Sequence, residues 1–173
     1  MLEAPRVVVE APPEAFEDFY VREYPAVVGL AYALSGSRWA AEDLAQEAFL
    51  AAHRDWGRIG SYQQPAAWVR RVVANLAVSA FRRRVSETKA LARLALGRSE
   101  AVPDLGAADP EFWAAVRALP RRQTQVVALY YLEDRSVTDV ADILDMTPGT
   151  VKRHLYDARR TLARRLRVQD EEA

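Results

Sequence analysis

The chain has 173 residues (19.4 kDa), 50% hydrophobic and 28% charged, which suits one ordinary domain or two small ones and excludes a large multidomain enzyme. Its 24 basic side chains balance 24 acidic ones and it has no cysteine, so a disulfide framework, a thiolate nucleophile and a Cys/His zinc site are excluded. His53 and His154 are far apart and no GxGxxG or GxxxxGK run occurs, so no metal, cofactor or nucleotide hydrolysis is expected. No apolar run nears the roughly 18 residues that span a bilayer, nor does a basic segment precede one, and a cytoplasmic protein is expected.

Residues 1–13 read as a flexible extension with one short alternating run, Val7 to Val9. Phe16, Phe19, Tyr20, Val27, Leu30, Ala31 and Leu34 then outline a first helix, or a pair interrupted at Pro25, ending near Ser35-Gly36-Ser37. From Trp39 to Trp56 a second helix turns Ala41, Leu44, Ala45, Ala48, Phe49 and Ala52 inward and leaves Asp43, Gln46, Glu47, Leu50 and Arg54 outside. An exposed leucine among ordered charges is either a protein contact or an ordinary surface residue. After a loop from Gly57 to Gln64, Pro65 opens a helix whose core stripe is Val69, Val72, Val73, Leu76 and Ala80.

A second row on that helix, Trp68, Arg71, Asn75, Ser79 and Arg82, runs at steps of three, four, four and three into Arg82-Arg83-Arg84. Rings interleaved with cations suit a single nucleic-acid strand, because bases stack on the rings and phosphates meet the guanidinium groups. Charge is segmented in the same way. Residues 1–69 carry five basic and ten acidic groups, 70–98 eight and one, 99–118 one and four, and 119–168 ten and six. Solvated helix faces also carry such runs, so charge alone does not decide.

The stretch 97–110 (GRSEAVPDLGAADP) concentrates Gly, Pro and acids and reads as a linker. Beyond it Val126, Val127, Leu129 and Tyr130 mark a helix from Arg121 to Leu132, followed by a polar turn. Ser136 caps the next helix, with Asp139 three positions on as a short capping box, and Val137, Val140, Ala141 and Leu144 share its face. Asp145-Met146-Thr147 forms a turn in which Asp stands where glycine is common, and Thr147 and Pro148 open a last helix to about Arg167. This is helix-turn-helix grammar. Val151, Leu155, Ala158, Leu162 and Leu166 form its buried stripe. Thr150, Lys152, Arg153, Tyr156 and Asp157 face outward near its N-terminus, followed by Arg159, Arg160, Arg164 and Arg165. That order fits base edges first and phosphates beyond. The fold class is all-α: two small helical domains, 14–96 and 111–168, joined by a flexible linker, with an acidic tail at 169–173.

Three stretches in order, Ala41-Glu-Asp-Leu-Ala-Gln-Glu-Ala-Phe-Leu50, Trp68 to Val78 with Phe81-Arg-Arg-Arg84, and Ala118-Leu-Pro-Arg-Arg-Gln123 through Lys152, resemble the extracytoplasmic-function (ECF) class of RNA polymerase sigma factors. The resemblance covers nearly the whole chain. It implies that the first domain is sigma region 2 and the second a winged-helix-like sigma region 4. It implies further that Asp43, Gln46, Glu47, Leu50 and Arg54 dock on the coiled coil of the largest polymerase subunit, with region 4 meeting the flap of the second-largest. The loop from Gly60 to Ala66 would receive a base flipped from the minus-ten non-template strand, with Ser61, Tyr62, Trp68, Arg71, Asn75, Arg82, Arg83 and Arg84 holding that strand.

Thr150, Lys152, Arg153, Tyr156 and Asp157 would face the minus-thirty-five element, and Arg121, Arg122 and Arg159 its backbone. The acidic linker would cross the path of product RNA, and an anti-sigma factor would be a further partner. Ser79, where the family often has aspartate, and Asp157, where a basic residue is common, depart from the pattern and bear on promoter choice. The chain itself would not be an enzyme. A helix-turn-helix regulator acting without replacing sigma shares the C-terminal motif, but a dimerisation helix gains nothing from the Trp68–Arg84 row. A small enzyme would need a convergent acid, base or nucleophile set that is not evident.

Overall fold

The computed structural model describes residues 14–91 and 110–172. The linker and the Val7–Val9 run lie outside the described residues, apart from Pro110. Eight helices and no strand occur among the described residues: α1 Phe16–Ser35, α2 Arg38–Arg54, α3 Trp56–Ile59, α4 Pro65–Leu91, α5 Pro110–Arg117, α6 Arg121–Tyr131, α7 Val137–Leu144 and α8 Pro148–Glu172.

Helix α1 is continuous through Pro25, whose ring lies on the exposed side, and it ends where Gly36 takes φ 70° and its N–H caps Tyr32 O at 2.8 Å. That left-handed turn favours glycine, and the Arg117 side chain also lies against Gly36. Helix α2 starts on a Ser37 cap and buries Ala41, Ala45, Ala48 and Ala52 completely. Such small side chains let its backbone lie close to α1 and α4, while Phe49 fills the gap among Phe19, Tyr20 and Tyr24. The expected Gly57–Gln64 loop begins with α3, a four-residue helix that buries Ile59. On α4 the fully buried stripe is Val69, Val73 and Ala77 at steps of four, joined by Ala74 and Val78, whereas Val72, Leu76 and Ala80 are only partly buried.

In the C-terminal half α6 is buried from Thr124 to Leu129. Thr124 Oγ1 bonds the end of α5 through Val116 O at 3.1 Å. Helix α7 begins with both halves of the capping box, Ser136 to Asp139 N–H and Asp139 to Ser136 N–H. It ends on Asp145 at φ 56°, ψ 59°, where the Asp145 N–H bonds Ala141 O. Thr147 Oγ1 then accepts from Thr150 N–H at 3.2 Å to start α8. Val151, Leu155, Ala158 and Leu162 are buried as the stripe requires.

The two halves pack against each other, α4 on α6 and α7, and α1 on α5 and α6, and their buried apolar residues form one cluster. Arginines cap helix ends reciprocally across this boundary. Arg71 of α4 donates to Ile143 O (2.5 Å) and Asp142 O (2.8 Å) in the last turn of α7, and Arg117 of α5 donates to Ala33 O (3.0 Å) in the last turn of α1. Each guanidinium satisfies carbonyls that have no partner within their own helix and sits at the negative end of its dipole.

Candidate nucleic-acid and protein interfaces

The first surface lies on α1 and α2. Asp43, Gln46, Glu47, Leu50 and Arg54 are all exposed, Leu50 by 55%. Gln46 and Leu50 edge a groove of about 490 Å³ whose other walls are Phe16, Glu17, Tyr20, Val21, Phe49 and His53. Val21 (72% exposed), in that groove, and Trp39 (82%), near the start of α2, are further exposed apolar side chains and were not among the sequence candidates. Trp39 stands four positions before Asp43 on the outward stripe, so helical spacing alone would have found it. Val21 is visible only once α1 and α2 are side by side.

The second surface is the α3–α4 corner. Gly60 is needed there, because a Cβ would lie 2.9 Å from the Trp56 carbonyl oxygen. Trp56 is itself held by its indole N–H on Glu14 O at 3.1 Å. Arg58 organises the loop: its guanidinium bonds Asp55 (2.6 Å) and the Tyr62 hydroxyl (2.9 Å), while its carbonyl accepts from Ser61 Oγ (2.7 Å). Ser61 and Tyr62 are both exposed and next to each other, a ring and a hydroxyl at the mouth of α4.

The row along α4 is divided. Ser79, Arg82, Arg83 and Arg84 are exposed, with Arg84 also reaching Ser35 O at 3.3 Å. Trp68 is half-buried and packs against the core. Arg71 is engaged with α7, and Asn75 Oδ1 accepts from both Arg121 Nη2 and Gln125 Nε2 at 2.9 Å. These three side chains were expected at an open face; the C-terminal half engages Arg71 and Asn75. Arg70 beside them is buried between Glu23 of α1 (2.8 Å) and Glu133 of the α6–α7 turn. Burial alone would raise the Glu23 carboxyl, but hydrogen bonds from Arg70 and Arg22 outweigh it and hold its pKa below the ordinary value.

On α8, Lys152, Arg153 and Tyr156 are exposed at the N-terminal turns, Tyr156 by 60%. Asp157 lies 4.0 Å from Arg153, one turn away. Arg160 lies over the Tyr156 ring at 5.7 Å. Arg159 bonds the Tyr131 hydroxyl at 2.7 Å and lies over the rings of Tyr130 and Tyr131, which fixes its direction. Arg122 is exposed and bonds Gln125 Oε1 at 3.3 Å, whereas Arg121 is drawn toward α4 by Asn75. His154 is partly buried between these faces, and burial lowers its pKa despite the nearby Asp157.

Residues 19–87 match the family described as Sigma-70 region 2, and residues 110–162 the family described as Sigma-70, region 4. The chain is 31% identical over 155 residues to the ECF RNA polymerase sigma factor SigM of Mycobacterium tuberculosis (strain H37Rv), an alignment covering 88% of this chain and 77% of that protein. It is 25% identical over 168 residues to SigW of Bacillus subtilis (strain 168), with 89% and 90% covered. Among solved structures it is similar to the sigma factor RpoE in complex with the anti-sigma factor NepR from Bartonella quintana, at TM-score 0.65 and 27% identity over 88% of this chain and 97% of that one.

Two helical modules matching regions 2 and 4 in that order define a sigma factor of the sigma-70 class. Within that class the chain belongs to the ECF RNA polymerase sigma factors, and it acts as an alternative sigma factor in transcription initiation. Among the described residues no helix is long and apolar enough to cross a membrane.

Proposed function

We propose that the α2 surface of Asp43, Gln46, Glu47, Leu50 and Arg54, with the groove beside it, docks on the coiled coil of the largest polymerase subunit. In this reading region 4 meets the flap of the second-largest subunit, and the bound enzyme acquires its promoter preference from the chain. The observation that carries the reading is the division of α8: Val151, Leu155 and Ala158 are buried while Lys152, Arg153 and Tyr156 are exposed directly after a helix-turn-helix turn. A helix held by one face and bare at its N-terminus is what a major groove admits. Lys152 and Arg153 then address minus-thirty-five bases, with Thr150, Tyr156 and Asp157 beside them and Arg122, Arg159 and Arg121 toward the backbone.

At the minus-ten element the Ser61–Tyr62 corner would receive a flipped base. Asn75, Arg71 and the exposed Arg82, Arg83 and Arg84 would hold the opened strand, with Trp68 as a stacking surface. Flipping costs a few kcal/mol, so a ready pocket and ring are needed to trap the opened state. The chain supplies no chemistry of its own and works in the cytoplasm. An anti-sigma factor is a fitting partner, because the similar RpoE structure is a complex with one.

Run-off transcription tests this. Purified chain and core polymerase free of other sigma factors act on a genomic promoter library, with start sites read by sequencing. Starts at a shared two-element motif, absent without the chain, are expected. An active core that gives no such starts, while the chain alone binds particular duplexes, would overturn the reading in favour of a regulator that does not replace sigma.

A further inference from the structure

We infer that Arg58 is a positioning residue of the α3–α4 corner: anchored by Asp55, it fixes the ring and hydroxyl of Tyr62 where an opened strand meets them. This role rests on the reading of Ser61 and Tyr62 as the surface that receives a flipped base.

The backbone of the corner is set by its own contacts. Trp56 donates its indole N–H to Glu14 O and packs its ring against Phe16 and Phe19, at centroid distances of 5.3 and 4.7 Å. The chain then winds on α3: Ser61 N–H and Ser61 Oγ both donate to Arg58 O, at 3.2 and 2.7 Å, and Tyr62 N–H donates to Ile59 O at 3.0 Å. The Ile59 side chain is fully buried and anchors this turn. None of these bonds fixes the Tyr62 side chain, which is 38% exposed.

Arg58 supplies the missing constraint. Its Nε donates to Asp55 Oδ2 at 2.6 Å, its Nη1 donates to the Tyr62 hydroxyl at 2.9 Å, and its guanidinium carbon lies 5.9 Å from the centre of the Tyr62 ring. A planar fork holds a carboxylate and a phenol at once in fixed directions, whereas the ammonium of a lysine is a single point of charge on a flexible stem. The bond also has a polarity. Because the Tyr62 oxygen accepts from Arg58, its own proton is left to donate elsewhere. An incoming base meets a ring already held and a hydroxyl donor already directed, so less side-chain freedom is lost on binding.

Arg58 is also an exposed cation, with 62% of its side chain accessible, and direct contact with a phosphate is the rival role. The two respond oppositely to charge. Removing Asp55 takes an anion away, which would strengthen a phosphate contact, but it also takes away the anchor of the fork, which would weaken positioning. Arg58→Lys keeps the charge that a phosphate needs and loses the fork.

The full chain bound to core polymerase is titrated with fluorescein-labelled DNA of a promoter found by run-off transcription. One probe is a fork whose minus-ten non-template segment is single-stranded; the other is a duplex carrying the minus-thirty-five element alone. Arg58→Lys and Asp55→Ala are each expected to weaken fork binding about fivefold, the lower end of what one base stacked on a ring contributes. Duplex binding and the salt dependence of fork binding should not change, nor should the unfolding temperature, since an exposed ion pair adds little stability. In a Tyr62→Ala background neither substitution should have a further effect, because the side chain they position is gone.

Fork binding retained by Arg58→Lys, strengthened by Asp55→Ala, or still lowered by either in the Tyr62→Ala background would overturn the positioning role. Equal losses on fork and duplex, or a lowered unfolding temperature, would overturn it too and make the cluster only structural. The wild-type chain and Tyr62→Ala test the underlying reading separately. If run-off yields no promoter, or if Tyr62→Ala binds the fork as well as the wild type, the reading of the corner fails and the role of Arg58 falls with it.

Discussion

Arg121 and Asn75 satisfy each other across the two halves of the chain, guanidinium to amide oxygen at 2.9 Å. One is a candidate for the minus-thirty-five backbone and the other for the minus-ten strand. Two substitutions at Asn75 therefore separate its structural part from its functional one. Asn75→Ala strands the Arg121 donor and the fully buried Gln125 amide, and a cost of about 1–3 kcal/mol in chemical denaturation is expected. Asn75→Asp keeps the acceptor and adds a charge that Arg121 favours. It is expected to hold or raise the denaturation midpoint while lowering run-off transcription, because a carboxylate repels the strand. Equal loss of transcription and stability in both variants would make Asn75 purely structural.

Leu50→Asp tests the docking surface. With Leu50 55% exposed, the substitution should change stability by no more than about 0.5 kcal/mol. Association with core polymerase, read by pull-down, should be lost, since a carboxylate would enter an apolar contact. A variant that unfolds would move Leu50 into the core, and one that still binds would remove it from the interface.

The C-terminal half was the more legible part of the sequence because its signals are local. Ser136, Asp139 and Thr147 cap helices within a few residues of themselves and Pro148 opens α8, and the structure has each where the sequence put it, with Asp145 left-handed at the turn position where glycine is common. The α1–α2 surface was legible for a similar reason, since the outward stripe of α2 follows from its alanine face. The α4 row was legible in its spacing and not in its surroundings. Helical spacing put Trp68, Arg71 and Asn75 on the same face as Ser79 and Arg82, and spacing says nothing about a second domain that engages Arg71 and Asn75. Nothing local marks Arg70 as buried: its partners Glu23 and Glu133 lie 47 and 63 residues away in sequence. Helix α3 escaped because four residues are too few to display a period.

The turn of the helix-turn-helix can be improved at one position. Asp145 adopts φ 56° without the freedom that glycine has there. Asp145→Gly is expected to stabilise the chain by about 0.5 kcal/mol, the relief of left-handed strain exceeding the added unfolded-state entropy. Ser136→Ala on the same helix should cost about 1 kcal/mol by removing the cap on Asp139 N–H. Thermal unfolding of both variants checks the pair of opposite signs.

Lys152→Ala separates base reading from phosphate contact. If its ammonium meets a base edge in the minus-thirty-five element, binding should fall by about 1–3 kcal/mol on sites carrying that base and little on others. Arg160→Ala, further along the same exposed face, should instead weaken all duplexes alike and lower the salt dependence. Binding to a panel of single-base variants at two salt concentrations measures both. A uniform loss for Lys152→Ala would reassign it to the backbone.

Acid should weaken the protein in two stages. Burial lowers the His154 pKa from its ordinary 6.5, so the neutral ring is favoured in the folded state. The associated stability is complete above pH 6.5 and is lost as pH falls through the lowered value. Glu23 behaves alike in sign for another reason: burial would raise its pKa, but Arg70 and Arg22 hold it below the ordinary 4.5. Its stability is complete above pH 4.5 and disappears as pH falls through the folded value, where protonation uncouples it from Arg70. In thermal unfolding from pH 8 to pH 3, His154→Gln should flatten the first stage and Glu23→Gln the second. The second stage should also loosen the contact between the halves, because Glu23 holds the guanidinium that Glu133 grips from the other side.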